Sequence, residues 1–140
     1  MEQRRRILVA DDEPELLRLL VRALASQGYA AVGASNGREA TETWLAAPDG
    51  FDVVVLDMRM PVMSGYEAYR ALRERSPQAR FVLISGYPEG DLWQSLRGEP
   101  CVRCLHKPFR TAELLAAVRD LLSPPSGPEA AGINHAATGA

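Results

Sequence analysis

The chain has 140 residues, 46% of them hydrophobic, which is enough for one domain with a single sizeable core. Acids and bases are interspersed and sum to a formal charge of −2, which excludes a broad nucleic-acid-binding face; the one basic run, Arg4-Arg5-Arg6, reads as a solvated strand entrance. No apolar run approaches the roughly 18 residues of a membrane span and the N-terminus lacks the apolar core of a signal peptide, so a cytoplasmic location without membrane insertion is expected.

Ile7–Ala10 is a short unbroken apolar run, the pattern of a strand buried on both faces of a parallel sheet. A helix follows, with Pro14 in its first turn, Leu16, Leu17, Leu20, Val21 and Leu24 on one face, and Gly28 to stop it with positive φ. Ala30–Ala34 is a weaker strand, suited to a sheet edge. Asn36 with Glu39 reads as a capping box that opens a second helix. Val53–Leu56 is a second doubly buried strand, and Ser64 with Glu67 opens the third helix in the same way. Phe81–Ile84 repeats the buried-strand pattern, Glu89–Leu96 gives a short fourth helix, and Val102–Leu105, which carries Arg103, suits the other edge. The fifth helix spans Thr111–Leu122 with Leu114, Leu115, Val118 and Leu121 inward. Residues 123–140 begin with a Ser/Pro/Gly cluster and continue without period, so the domain is placed at 1–122 and the remainder is read as a disordered tail or linker.

Strand–helix pairs in this succession give an α/β domain, a parallel sheet with helices on both faces, and such sheets bind ligands beyond the carboxyl ends of the strands. The residues standing there are Asp11 and Asp12 after the first strand, Asp57 after the third, Ser85 after the fourth and Lys107 after the fifth. Three ionised carboxylates so placed repel one another and raise each other's pKa unless a cation sits among them. Oxygen ligands of this kind suit Mg²⁺, which accepts one or two carboxylates and reserves positions for water and phosphate oxygens. A carboxylate can attack phosphorus to form an acyl phosphate, and a metal ion, a lysine and a hydroxyl together can neutralise the phosphoryl oxygens. Fifteen of the sixteen basic residues are arginine, so Lys107, the only lysine in the chain, is a compact point charge kept at this one place.

The stretches "ILVADDEP", "VVVLDMRMPVMSGYE", "FVLISGY" and "LHKPF", in this order and at these intervals, resemble the response-regulator receiver domains of two-component signalling over residues 5 to 122. The resemblance implies a flavodoxin-like doubly wound sheet of five parallel strands in the order 2-1-3-4-5 with five helices. It implies that Asp57 is the phospho-acceptor, taking phosphoryl from a histidine kinase or phosphotransfer protein. Asp12 and Asp57 would hold Mg²⁺ with the backbone carbonyl of Arg59, and Asp11 would act largely through water. Ser85 and Lys107 would each bond a phosphoryl oxygen, with Lys107–Pro108 cis, and Met60-Pro61 and Gly65 would shape the loop that presents Asp57. The output would be a switched protein-interaction surface whose effector protein the sequence does not name, with a weak homodimer as one form, and with no direct contact to nucleic acid.

Two departures from the pattern bear on mechanism. Cys104 stands three residues before the lysine, where receivers usually carry a Tyr or Phe that swings inward, so coupling to the output face is assigned to Tyr87 or the fourth helix. Arg59 and Tyr87, at positions that tune phosphoryl loss in the family, are bulky and are expected to restrict attacking water. Bland assignments cover the rest. Cys101 and Cys104 form a C-x-x-C read as ordinary strand cysteines, three apart and on opposite faces; with His106 they fall one ligand short of a closed zinc site. Trp44 and Trp93 are packing residues, His106 a strand-end surface histidine, and Glu13 a helix-mouth acid.

Among rival functions, an aspartate-nucleophile phosphatase generally has a second acid two residues past the nucleophile, where this chain has Arg59, and a cap domain that does not follow here. A docking-only pseudo-receiver would have lost an acid or the lysine. Eighteen residues beyond Leu122 cannot form an output module, so the chain is expected to be a stand-alone receiver or the receiver of a hybrid histidine kinase, which "FVLISGYPEG" and "LHKPF" favour.

Overall fold

Burial on both faces is what the central apolar runs require, and the architecture supplies it. The computed structural model describes residues 4–87 and 90–123. Its elements in chain order are β1 (Arg6–Ala10), α1 (Pro14–Ser26), β2 (Ala30–Ala34), α2 (Gly37–Ala46), β3 (Val53–Asp57), α3 (Gly65–Arg75), β4 (Phe81–Ser85), α4 (Gly90–Arg97), β5 (Val102–His106) and α5 (Thr111–Leu122). The strands form one parallel sheet in the order β2-β1-β3-β4-β5, the flavodoxin-like order.

Side chains alternate across this sheet and so build two core layers. Leu8, Val54, Leu56, Phe81 and Leu83 face α2, α3 and α4, where Ala40, Ala68, Leu72 and Trp93 meet them. Ile7, Val9, Val53, Val55, Val82 and Ile84 face α1 and α5, against Leu20, Leu24, Leu114, Val118 and Leu121. β3 and β4 are buried along their whole length, whereas β2 and β5 lie at the edges and are partly open, as their weaker apolar patterns predict.

The helix boundaries follow from local chemistry. α3 opens with a complete capping box between Ser64 and Glu67. At α2 the Asn36 side chain accepts from the Glu39 N–H at 2.8 Å, but the Glu39 carboxylate accepts from Ser35, not from Asn36. The expected box is therefore half formed, because the acid reaches one residue further back past an extended Asn36. Basic residues enter at the foot of the sheet as expected: Arg6 donates from its backbone N–H to Asp52, and its guanidinium stacks on Phe51.

Several boundaries differ from the sequence expectation, and β1 starts one residue earlier, at Arg6. β3, β4 and β5 each extend one residue further, taking in Asp57, Ser85 and His106, because the backbone ladder continues past the last apolar side chain. α4 runs Gly90–Arg97, and Glu89 lies outside the described residues, as do residues 124–140 of the expected tail. Cys101 is not in a strand: it occupies the turn before β5 with φ of +62°, and both cysteines are free.

Two glycines separate two kinds of constraint. A Cβ on Gly65 would lie 1.9 Å from the Asp57 carbonyl oxygen, whereas Gly28, at φ of +93°, has open space around it. Gly65→Ala is expected to cost more than about 3 kcal/mol, since backbone itself must move, and Gly28→Ala about 1 kcal/mol from the left-handed conformation alone. Urea unfolding of the two variants checks the order; a larger loss at position 28 would contradict it.

Candidate functional site

Register places the polar residues together. Ala10 pairs with Leu56, Asp57 with Ile84, and Ser85 with His106, so one residue beyond these pairs the chain delivers Asp11, Asp57, Ser85 and Lys107 to one edge of the sheet. Backbone bonds extend the ladder into the loops: the Asp11 N–H donates to the Ala34 carbonyl, Met58 N–H to Ile84, and Lys107 N–H to Ser85. These bonds fix where each loop starts, and the Lys107–Pro108 bond is cis as the resemblance implies.

Asp11, Asp57 and Ser85 are the buried polar side chains among the described residues, at 1%, 4% and 5% exposure, while Asp12 is exposed. The Lys107 ammonium donates to Asp57 Oδ2 at 2.6 Å and stands 3.9 Å from Asp11 Oδ2. Asp57 Oδ1 accepts from the Arg59 N–H at 3.0 Å, and Asp11 Oδ1 from the Glu13 N–H at 2.9 Å. Asp11 Oδ2 is buried with no hydrogen-bond partner. Burial pushes the Asp11 carboxyl up to about 6, opposed by the Glu13 N–H and reinforced by the Asp57 charge. Burial alone would lower the Lys107 ammonium, but its hydrogen bond to Asp57 and the Asp57, Asp11 and Glu13 charges outweigh that, and the net shift is upward.

One carboxylate oxygen from each of Asp11, Asp12 and Asp57 lies within 4.8 Å of the others. An all-oxygen donor set with an orphaned buried oxygen fits a hard divalent cation such as Mg²⁺, and these three residues could hold it. Arg59 reaches the cluster through its backbone. Ser85 Oγ accepts from the Tyr87 N–H at 3.0 Å, which leaves its own proton free to donate. His106 is exposed at the end of β5, and Glu13 sits at the N-cap of α1 without a side-chain cap bond, both as expected. Burial pushes the Cys104 thiol up to about 11, so no reactive thiolate stands beside the site.

A buried acid cluster, one lysine at bonding distance and a hydroxyl, on these strand ends of this sheet, match one family over most of the chain. The chain belongs to the response regulator receiver domain family. The family's pattern is met over residues 7–119. The receiver protein CpdR of Brucella abortus is 30% identical over 118 residues, which cover 84% of this chain and 97% of that one. The sensor kinase CckA of the same organism is 34% identical over 116 residues, covering 83% of this chain but only 12% of the kinase. The solved response regulator TrrA of Thermotoga maritima, in complex with Mg²⁺ and BeF, is 33% identical with a TM-score of 0.71, covering 84% of this chain and 99% of that one. Receiver domains are in general phosphoryl acceptors and not enzymes; they bind Mg²⁺ at their acidic pocket and interact with histidine kinases or phosphotransfer proteins. No helix among the described residues is long and apolar enough to cross a membrane.

Two features were not foreseen. Lys107 is bonded directly to Asp57 before any phosphoryl group arrives, and the Arg59 guanidinium lies over the Tyr87 ring at 5.2 Å, joining the loops after β3 and β4. The first could have been suspected from charge alone, the second only from knowing that both loops meet. A cleft of about 410 Å³ between α3 and α4, lined by Tyr66, Tyr69, Arg73, Leu96 and Glu99, contains none of these residues, and the chemistry favours the acid cluster over it.

An acid whose folded pKa rises from 3.8 to about 6 stabilises the metal-free fold below pH 4 and loses that contribution as pH rises through 6. Asp11→Asn should therefore be more stable than wild type at pH 7.5 in EDTA and equal to it near pH 4. Added Mg²⁺ should stabilise wild type much more than the variant. Urea titrations across pH, with and without metal, measure both differences.

Proposed function

We propose that Asp57 accepts a phosphoryl group from the phosphohistidine of a histidine kinase or phosphotransfer protein, and that the change switches a surface read by an effector protein. The observation that carries this is the Lys107 ammonium 2.6 Å from Asp57 Oδ2 inside a cluster of three carboxylates at the strand ends. An Asp57 oxygen attacks phosphorus, the P–N bond to the donor imidazole breaks, and the imidazole leaves with the electron pair. Lys107 turns from Asp57 to a phosphoryl oxygen, and the Ser85 hydroxyl donates to another while still accepting from Tyr87. Asp12 and Asp57, with the Arg59 carbonyl, would hold Mg²⁺ directly, and Asp11 largely through water; the bound ion supplies neutralisation of charge between carboxylate and phosphoryl. The receiver occupies residues 1–122 as a cytoplasmic module, with 123–140 as tail or linker.

Residue 59 argues against a phosphatase, since an arginine cannot protonate a leaving group and then recover as an acid would. A receiver segment within a hybrid histidine kinase is the second reading; the chain resembles both a segment of the sensor kinase CckA and the receiver protein CpdR.

Incubation with a small phosphodonor should add one phosphoryl group by intact mass, only with Mg²⁺, and Asp57→Asn should add none. A gain that survives the substitution or ignores the metal would sink the proposal. Because Arg59 and Tyr87 stack beside the acceptor, they should slow attack by water, so cutting both to alanine is expected to speed loss of the phosphoryl group several-fold, about 1 kcal/mol of barrier. Slower loss in that double variant would contradict the shielding role.

A further inference from the structure

α3 and α4 cover the same face of the sheet without closing the space between them, and both helices line the cleft of about 410 Å³ that remains. Its apolar lining includes Tyr69 and Leu96, at 6% and 4% exposure, and Leu92 of α4, which stays 45% exposed. Apolar surface left open in this way gains from being covered.

Four charged side chains also line the cleft, and they are not equivalent. Arg73 is spent inside the chain: its guanidinium donates to the Pro77, Ala79 and Pro100 carbonyls, lies over the Tyr69 and Phe81 rings and stands 3.7 Å from Glu99. Arg70 and Glu74 are exposed, and neither enters an ion pair among the described residues. They stand one turn apart on α3, but arginine before glutamate is the weaker order for an i,i+4 pair. The Arg70 guanidinium lies instead over the Tyr66 ring, 5.9 Å from its centroid and one turn back along the helix. The rim of the cleft therefore offers one positive and one negative group, both unpaired, about 6 Å apart along the helix axis.

That arrangement selects the occupant. A ligand carrying a single sign of charge would meet a like charge on the same rim. A second copy of α3, running antiparallel across a twofold axis, meets none: Arg70 of each copy faces Glu74 of the other, the reciprocal match that an isologous contact requires. The same approach covers Leu92, which lines the cleft beside these two residues.

We propose that the α3–α4 face is an interface between two copies of this chain, closed by two reciprocal Arg70–Glu74 ion pairs with Leu92 covered at the contact. The contact does not depend on phosphorylation of Asp57, so the test uses the unmodified full chain in sedimentation equilibrium. Wild type should dimerise reversibly between micromolar and millimolar concentration, and added salt should weaken the dimer. Arg70→Glu and Glu74→Arg should each weaken it about tenfold, because two attractive pairs become repulsive ones. An equimolar mixture of these two variants should dimerise like wild type, since every cross-pair is again opposite in sign, and so should the variant that carries both changes. Leu92→Ser should weaken the dimer several-fold. All three side chains are exposed, so thermal melts should match wild type; recovery in the mixture requires both single variants to be folded. Wild type that stays monomeric up to millimolar concentration overturns the inference and leaves the cleft to a different occupant. Single variants that dimerise like wild type overturn it too, as does a mixture or a double variant that fails to recover.

Discussion

The pair formed by Lys107 and Asp57 governs the site. A parallel sheet brings the carboxyl ends of all its strands to one edge, and this chain puts Asp11, Asp12 and Asp57 there within 4.8 Å of each other. Two of the three are buried, where charges are costly and repulsion is poorly screened. Without metal, the one ammonium 2.6 Å from Asp57 and 3.9 Å from Asp11 is the nearby positive charge that keeps the edge intact. Its reach is divided unequally, and Asp11 Oδ2 is left without a hydrogen-bond partner. One cation stands among three acids, and that charge deficit would favour a divalent ion there.

A lysine suits this position better than the arginine used everywhere else. Arginine would engage a carboxylate through two fixed parallel bonds, while an ammonium on a flexible stem can move between neighbouring oxygens. The surrounding fold is rigid where the lysine is not. Asp57 is held by the Arg59 N–H and by a sheet buried on both faces, and the start of α3 packs so close that a Cβ on Gly65 would overlap the Asp57 carbonyl. Rigid acids and one movable cation form a site that can exchange a carboxylate partner for another anion without repacking the core.

Much of this was legible from residues alone, for identifiable reasons. Val53-Val54-Val55-Leu56 can only be a strand covered on both sides, and Ser64 with Glu67 forms the capping box their spacing announces. Once strand ends were located, the polar residues next to them had to meet. What escaped were features set by contacts between segments distant in sequence, or by backbone states that composition does not encode. Glu39 bonds Ser35 in place of Asn36 because of how the loop enters α2. Cys101 lies in a positive-φ turn that its C-x-x-C spacing hides, and Val62, a residue of high strand propensity, sits in a γ-turn. The Arg59–Tyr87 stack joins residues 28 positions apart, on loops that only the β3–β4 pairing brings together.

Cys104 shows how a local departure is absorbed by its surroundings. Most receivers place an aromatic ring at that point of β5, yet the thiol here is half-buried against the same core layer as Trp93 and Leu96 of α4. Trp93 is itself 6% exposed, so α4 contributes a buried ring to this layer beside the Phe81 ring of β4 and the Tyr69 ring of α3. A ring packed this closely has little room to change rotamer. A small thiol moves almost no surface when it rotates, so a displacement that began at Ser85 would need an element other than β5 to reach this face, and α4 carries a large buried ring there.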